Sequence, residues 1–146
     1  MTDKHSIEEF SDFASGERLR EELRSAGFAK AADAMLVIDA KGKIVVVNEQ
    51  VTTFFWYTEA ELLGASVDIL VPEKLRDAHA QHRTDYVDNP VVRSMGAGRE
   101  LSGRRKDGKE FRVEISINPL PHRNEMFFMA IVRRPTVKMI ASGVQG

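Results

Sequence analysis

The chain of 146 residues has the length of one compact domain, and 42% hydrophobic with 29% charged residues is ordinary globular composition. Its 21 Lys and Arg against 22 Asp and Glu leave a net charge of −1, which offers no overall attraction to nucleic acid or to an acidic membrane surface. The absence of cysteine excludes a disulfide framework, a thiolate zinc site, a thiol nucleophile and any prosthetic group attached through sulfur.

The first thirty residues read as helical. Ser6 caps, Glu9 is its capping-box partner, and Ile7, Phe10 and Ala14 recur at helical spacing. Gly16 interrupts this pattern, and Leu19, Leu23 and Ala26 resume it as a narrow apolar stripe through a charged run. Such a helix rests either on its own domain or on a second copy. From Ala34 the texture becomes strand-like, AMLVID and KIVVVN flanking a turn at Asp39-Ala40-Lys41-Gly42. Short helices follow, Glu49 to Phe55 and then a capping box, Thr58-Glu59-Ala60-Glu61, before Leu62-Leu63 and a stop at Gly64.

Pro72 opens a longer predicted helix, Glu73 to about Val87, which Asn89-Pro90 ends. Leu75, His79, His82 and Tyr86 fall on one stripe of it, so two histidines share its inward face. In the last third, Phe111, Val113, Ile115 and Ile117 alternate strictly after a turn at Asp107-Gly108, and Met126 to Arg133 is apolar on both faces. The pattern predicts an α+β fold: a five-stranded antiparallel sheet with strands near 34–39, 43–48, 96–104, 109–119 and 125–134, helices on one face and a flanking N-terminal helix. The expected organisation is a flanking or dimerisation helix at 1–30, a domain at 31–135 and a fraying tail at 136–146. The longest apolar runs fall far short of the ~20 residues of a membrane span, and the N-terminus has no apolar stretch like a secretory signal, so a cytoplasmic address is expected.

The order of elements, the phrase FFWYTEAELLGASVDILVPE, the block GRELSGRRKDGKEFRVEISINPL and the closing strand FFMAIVRR together resemble a PAS sensory domain over Ala32 to Arg134. The resemblance implies a sheet cupped by short helices around a small-ligand pocket. Lining candidates are Ile69, Leu70, Leu101, Ile115, Ile117, Met129 and Ile131, and one of Phe127 and Phe128 faces the cup. LRDAH further resembles the helix that carries the proximal histidine in haem-binding PAS domains of bacterial oxygen sensors. By that resemblance His79 is the ligand of haem b, Arg99 is the distal arginine that responds to a diatomic gas, and Arg93 contacts a propionate. His82 and Tyr86 share the stripe. Ala97 stands where one subgroup has a methionine ligand, Asp85 where the rhizobial sensors have a basic residue, and Trp56 where the family has glycine.

The competing expectation is a cofactor-free module that forms homodimers through its N-terminal helix and sheet face. The pair His79-x-x-His82 with Glu73 or Asp77 is a weak zinc signal, and Arg104-Arg105-Lys106 reads as a solvated hairpin. The chain has no nucleophile elbow, phosphate loop or metalloprotease helix, so an enzyme is not expected.

Overall fold

A computed structural model describes residues 16–78, 81 and 101–135, and the backbone of 93–95. Residues 16–25 form helix α1, followed by a 3-10 turn Phe28–Lys30. The chain then runs β1 (Ala34–Ile38), β2 (Ile44–Val47), α2 (Glu49–Phe55), α3 (Glu59–Leu62) and 3-10 turns Val67–Leu70 and Glu73–Leu75. The second half is all strand: β3 (Arg93–Met95), β4 (Leu101–Arg104), β5 (Glu110–His122) and β6 (Glu125–Arg133). The strands lie in the order β2-β1-β6-β5, with β3 and β4 both on the far side of β5 and every pair antiparallel. Six segments therefore occupy five positions, the antiparallel α+β sheet predicted from the alternation and turns.

Local chemistry accounts for most boundaries. Asp39 Oδ1 accepts from the Lys41 and Lys43 amides at 2.9 and 3.0 Å, and Gly42 supplies a φ of 83°, so the β1–β2 turn closes on itself. Thr58 and Glu61 form the expected capping box, and Gly64 turns the chain with a φ of 85°. Gly108, with φ 92°, turns the β4–β5 hairpin as expected.

The described residues refine three expectations. Gly16 is the first described residue of α1, and it is buried, where a Cβ would stand 3.3 Å from Val45; the residues before it lie outside the described ones. Its lack of a side chain lets the helix approach β2 closely. Of the predicted strand 96–104 the described part, 101–104, is β4, and β3 lies ahead of it: Met95 pairs with Ile115 and Leu101 with Val113, so six steps of the edge chain span two on β5. The Gly96-Ala97-Gly98 stretch lies in that interval and has little strand propensity. Strand β5 is longer than predicted, running through Pro119 and Pro121 to His122. Among the described residues only β6 pairs with it from Asn118 onward, so there the prolines meet no strand that needs further amide donors. The turn that follows uses two non-glycine residues at positive φ, Arg123 and Asn124.

The sheet separates two apolar clusters. On one face Leu36, Ile44, Val47 and Val132 pack with Val51 and Phe55 of α2, Leu62 of α3 and Leu70. On the other, Val37, Val46 and Phe127 pack with Phe28 and with Leu19 of α1. A β-bulge between Val37 and Ile38 places Val45 and Val46 together on this second face. The N-terminal helix thus rests on the outer face of its own sheet.

Candidate functional site

The inner face of the sheet, packed by α2, α3 and the Val67–Leu70 turn, is the side of the expected cup, its concave side. Its described wall is apolar. Leu70 is buried at 5% exposure, and Ile69, Leu101 and Ile115 are half-buried against the same cluster. Ile117 is also half-buried and pairs with Ala130, which packs in that cluster. These five of the seven expected lining residues lie on the concave side.

Met129 and Ile131 do not. Met129 packs in the outer cluster opposite Val37, and Ile131 pairs with Met35, which packs in the same outer cluster. Strand side chains alternate faces, so Ala130 and Val132 stand on the concave side in their place, with Phe128 beside them by register. Phe127 faces α1. Because Met126 to Arg133 is apolar on both faces, its own sequence carries no parity signal; its pairing with β1 and β5 supplies one.

His79, His82, Tyr86 and Arg99 lie outside the described residues. Leu75, which begins the predicted inward stripe, is 42% exposed. The predicted helix opens with the 3-10 turn Glu73–Leu75 and is helical over 76–78, where Arg76 donates from Nε to the Val71 carbonyl at 3.1 Å. The backbone of Arg93 pairs with Ile117, so β3 borders the concave wall at that residue. Among the described residues no group of three or more His, Asp or Glu side chains is arranged to hold a metal ion.

One end of the concavity is closed by the protein's own rings. Phe55 and Phe111 lie 5.3 Å apart, and a Cβ on Gly103 would stand 2.9 Å from Phe55 Cε1. The run Phe54-Phe55-Trp56 divides its rings: Phe55 points into the core, Phe54 lies under the Arg134 guanidinium at 5.4 Å, and Trp56 projects outward at 55% exposure. Trp56 takes the left-handed conformation, φ 66°, that glycine would adopt at this helix end, and its amide donates to the Thr52 carbonyl at 2.9 Å. The Arg105 guanidinium covers its indole at 3.5 Å.

Arg105 is held in turn by Asp107 through a two-pronged contact of 3.0 and 2.6 Å. That hydrogen-bonded guanidinium holds the Asp107 carboxyl down at about 2. Lys106 binds Glu61 and lowers its carboxyl below the usual range, with the Thr58 amide as a second donor. On the opposite face, Glu22 of α1 meets His122 Nε2 at 2.6 Å and Arg123 at 3.3 Å, and these contacts, His122 first, lower its carboxyl.

Sequence reasoning missed Asn48. It is 2% exposed; its Oδ1 accepts from the Met35 and Val51 amides at 3.0 and 3.4 Å, and its Nδ2 donates to the Asp33 carbonyl at 2.8 Å. An Asn between a strand and a helix is a readable cap signal, but its cross-strand bonds are not.

Residues 32–133 match the family profile described as PAS domain. The chain is 34% identical over 101 residues to the sensor protein FixL of Bradyrhizobium diazoefficiens, covering 69% of this chain and 20% of that protein. It is 24% identical over 104 residues to the oxygen sensor protein DosP of Escherichia coli, covering 71% of this chain and 13% of that one. The chain thus spans a fifth or less of these relatives. Among solved structures it resembles a PAS domain of an HTR-like protein from Haloarcula marismortui, with a TM-score of 0.62 at 24% identity, covering 90% of this chain and 98% of that one.

Proposed function

The chain belongs to the PAS domain family and is a sensory signalling module, and we propose that its concave face takes haem b and senses a diatomic gas. The observation that carries this reading is the half-buried, uncharged wall of Ile69, Leu101, Ile115 and Ile117, which suits the apolar faces of a porphyrin. The likeness to an oxygen sensor protein and to a sensor protein supports it. Haem would supply an iron centre with a position for the gas. His79 is the proposed axial ligand, through a neutral imidazole nitrogen, with His82 and Tyr86 proposed beside it on the stripe read from the sequence. Arg99 is the proposed hydrogen-bond donor to the gas, and Arg93, whose backbone borders the wall at Ile117, is the proposed partner of a propionate.

The experiment is an absorption spectrum of the whole chain purified with haem supplied. A Soret band is expected, lost in His79→Ala and largely kept in His82→Ala. Arg99→Ala should keep haem and weaken oxygen binding by ~1.5–3 kcal/mol, the value of a charge-assisted hydrogen bond. Wild-type protein with no Soret band rejects the haem reading. The competing reading is a cofactor-free interaction module, favoured by the Phe55 and Phe111 rings that fill one end of the concavity. In either case the proposal is a non-enzymatic cytoplasmic module that pairs as a homodimer through the α1 side of the sheet. No described helix is long and apolar enough to cross a membrane.

A further inference from the structure

On the outer face of the sheet, α1 meets the end of β5 through a short polar contact. His122, the last residue of β5, has a side chain only 13% exposed and sets its Nε2 2.6 Å from the Glu22 carboxylate of α1. Glu22 also takes Arg123 at 3.3 Å, and its two partners, His122 first, hold its carboxyl below the usual range, so it acts as an acceptor only. Nε2 therefore carries the hydrogen that it donates, and in the neutral ring Nδ1 is left bare. That Nδ1 is buried and, among the described residues, has no hydrogen-bond partner. The ring also lies edge-on to Phe127, with centroids 6.2 Å apart, and Phe127 packs with Phe28 and with Leu19 of α1.

A second proton on the ring has one place to go, Nδ1, and there it makes a buried N–H without an acceptor. Proteins tolerate such a donor far less than a bare acceptor. The imidazolium would gain from Glu22, but that carboxylate is half-exposed, so water screens the attraction, and Arg123 beside it opposes a new positive charge. The other charged groups around the contact are Arg18 and Glu21, which line a groove with Glu22, Ser25 and Arg123, and Glu125, which pairs with His122 across the hairpin. Of these side-chain types only imidazole changes charge between about pH 5 and 8. We propose that His122 is an acid-sensitive latch on α1: the neutral ring stays seated against Phe127 and holds Glu22, whereas protonation at Nδ1 turns the ring toward water, frees Glu22 and uncovers Phe127. Leu19, at 3% exposure, and Arg20, bonded to the Val45 carbonyl, keep their places, so acid loosens the helix without releasing it. The latch is independent of what the concavity holds.

The test uses the whole chain. Helix α1 is followed by amide exchange at residues 19–23, each rate divided by its random-coil value at the same pH, and the ring by its own NMR signals. One proton taken up changes the docking equilibrium by at most about tenfold per pH unit. Between about pH 7.5 and 5.5, protection in α1 is expected to fall about three- to tenfold, with the same midpoint as the His122 ring signals. His122→Gln keeps a donor for Glu22 and has no ring to titrate, so its protection is expected to stay level. Wild-type protection that does not fall, or that falls equally in His122→Gln, overturns the latch. If His122→Gln does not fold, the wild-type ring decides. Ring contacts to Phe127 that are lost as Nδ1 takes its proton support the latch, and contacts that persist in the doubly protonated ring overturn it.

Discussion

Asn48 shows how much one buried polar side chain can organise. At 2% exposure it joins the start of β1, the end of β2 and the first turn of α2 through bonds to Met35, Asp33 and Val51. Asn48→Ala takes the side-chain partner from the Met35 amide and the Asp33 carbonyl, while the Val51 amide keeps its bond to the Asn48 carbonyl, and a loss of about 2–3 kcal/mol is expected in urea unfolding. Asp107 is legible in a different experiment. Its carboxyl is held at about 2 by Arg105, below its unfolded value, so its contribution is complete above the unfolded pKa and disappears as pH falls through about 2. An NMR titration should find this midpoint in the wild type and return it to the ordinary aspartate range in Arg105→Ala. The emission of Trp56, the only tryptophan, should shift over the same acid window as Arg105 loses its anchor.

At the level of elements, α1 is a cover for the outer sheet face. Gly16, Leu19 and Leu23 place its narrow stripe toward the sheet, Leu19 being 3% exposed, while Arg20 donates from Nε to the Val45 carbonyl at 3.0 Å. Leu19→Ala should cost about 2–4 kcal/mol by leaving a cavity over Val37 and Val46, measured by urea unfolding. Removing residues 1–28 strips Leu19 and Phe28 from Val37, Val46 and Phe127, so light scattering should show a changed oligomeric mass or solubility should fall. The ion pairs of Glu22 and Arg24 on the flanks of α1 are half-exposed, so their removal should matter far less than Leu19.

Across the whole molecule, β1 and β6 contribute to both apolar clusters: Leu36 and Val132 to the inner one, Val37 and Phe127 to the outer. Neither cluster can lose its sheet wall without the other. Urea unfolding followed by Trp56 emission, which reports the inner-side helix end, should therefore coincide with far-UV dichroism. A separate early transition in one signal would show the clusters to be independent.

The alternation from Phe111 to Ile117, the turn at Asp107-Gly108 and the box at Thr58 and Glu61 determined the strands, hairpins and short helices, because each is set by residues within a few positions of one another. The concave wall of β5 followed from the same alternation. Parity in β6 was decided only by its pairing with β1 and β5, which turned Met129 and Ile131 outward, since a strand apolar on both faces does not record which face is inside. Tertiary structure likewise placed Gly16 against Val45, set β3 and β4 beside the same strand β5, and laid Arg105 over Trp56. Those outcomes depend on residues tens of positions apart meeting across the sheet, and no local spacing encodes the meeting.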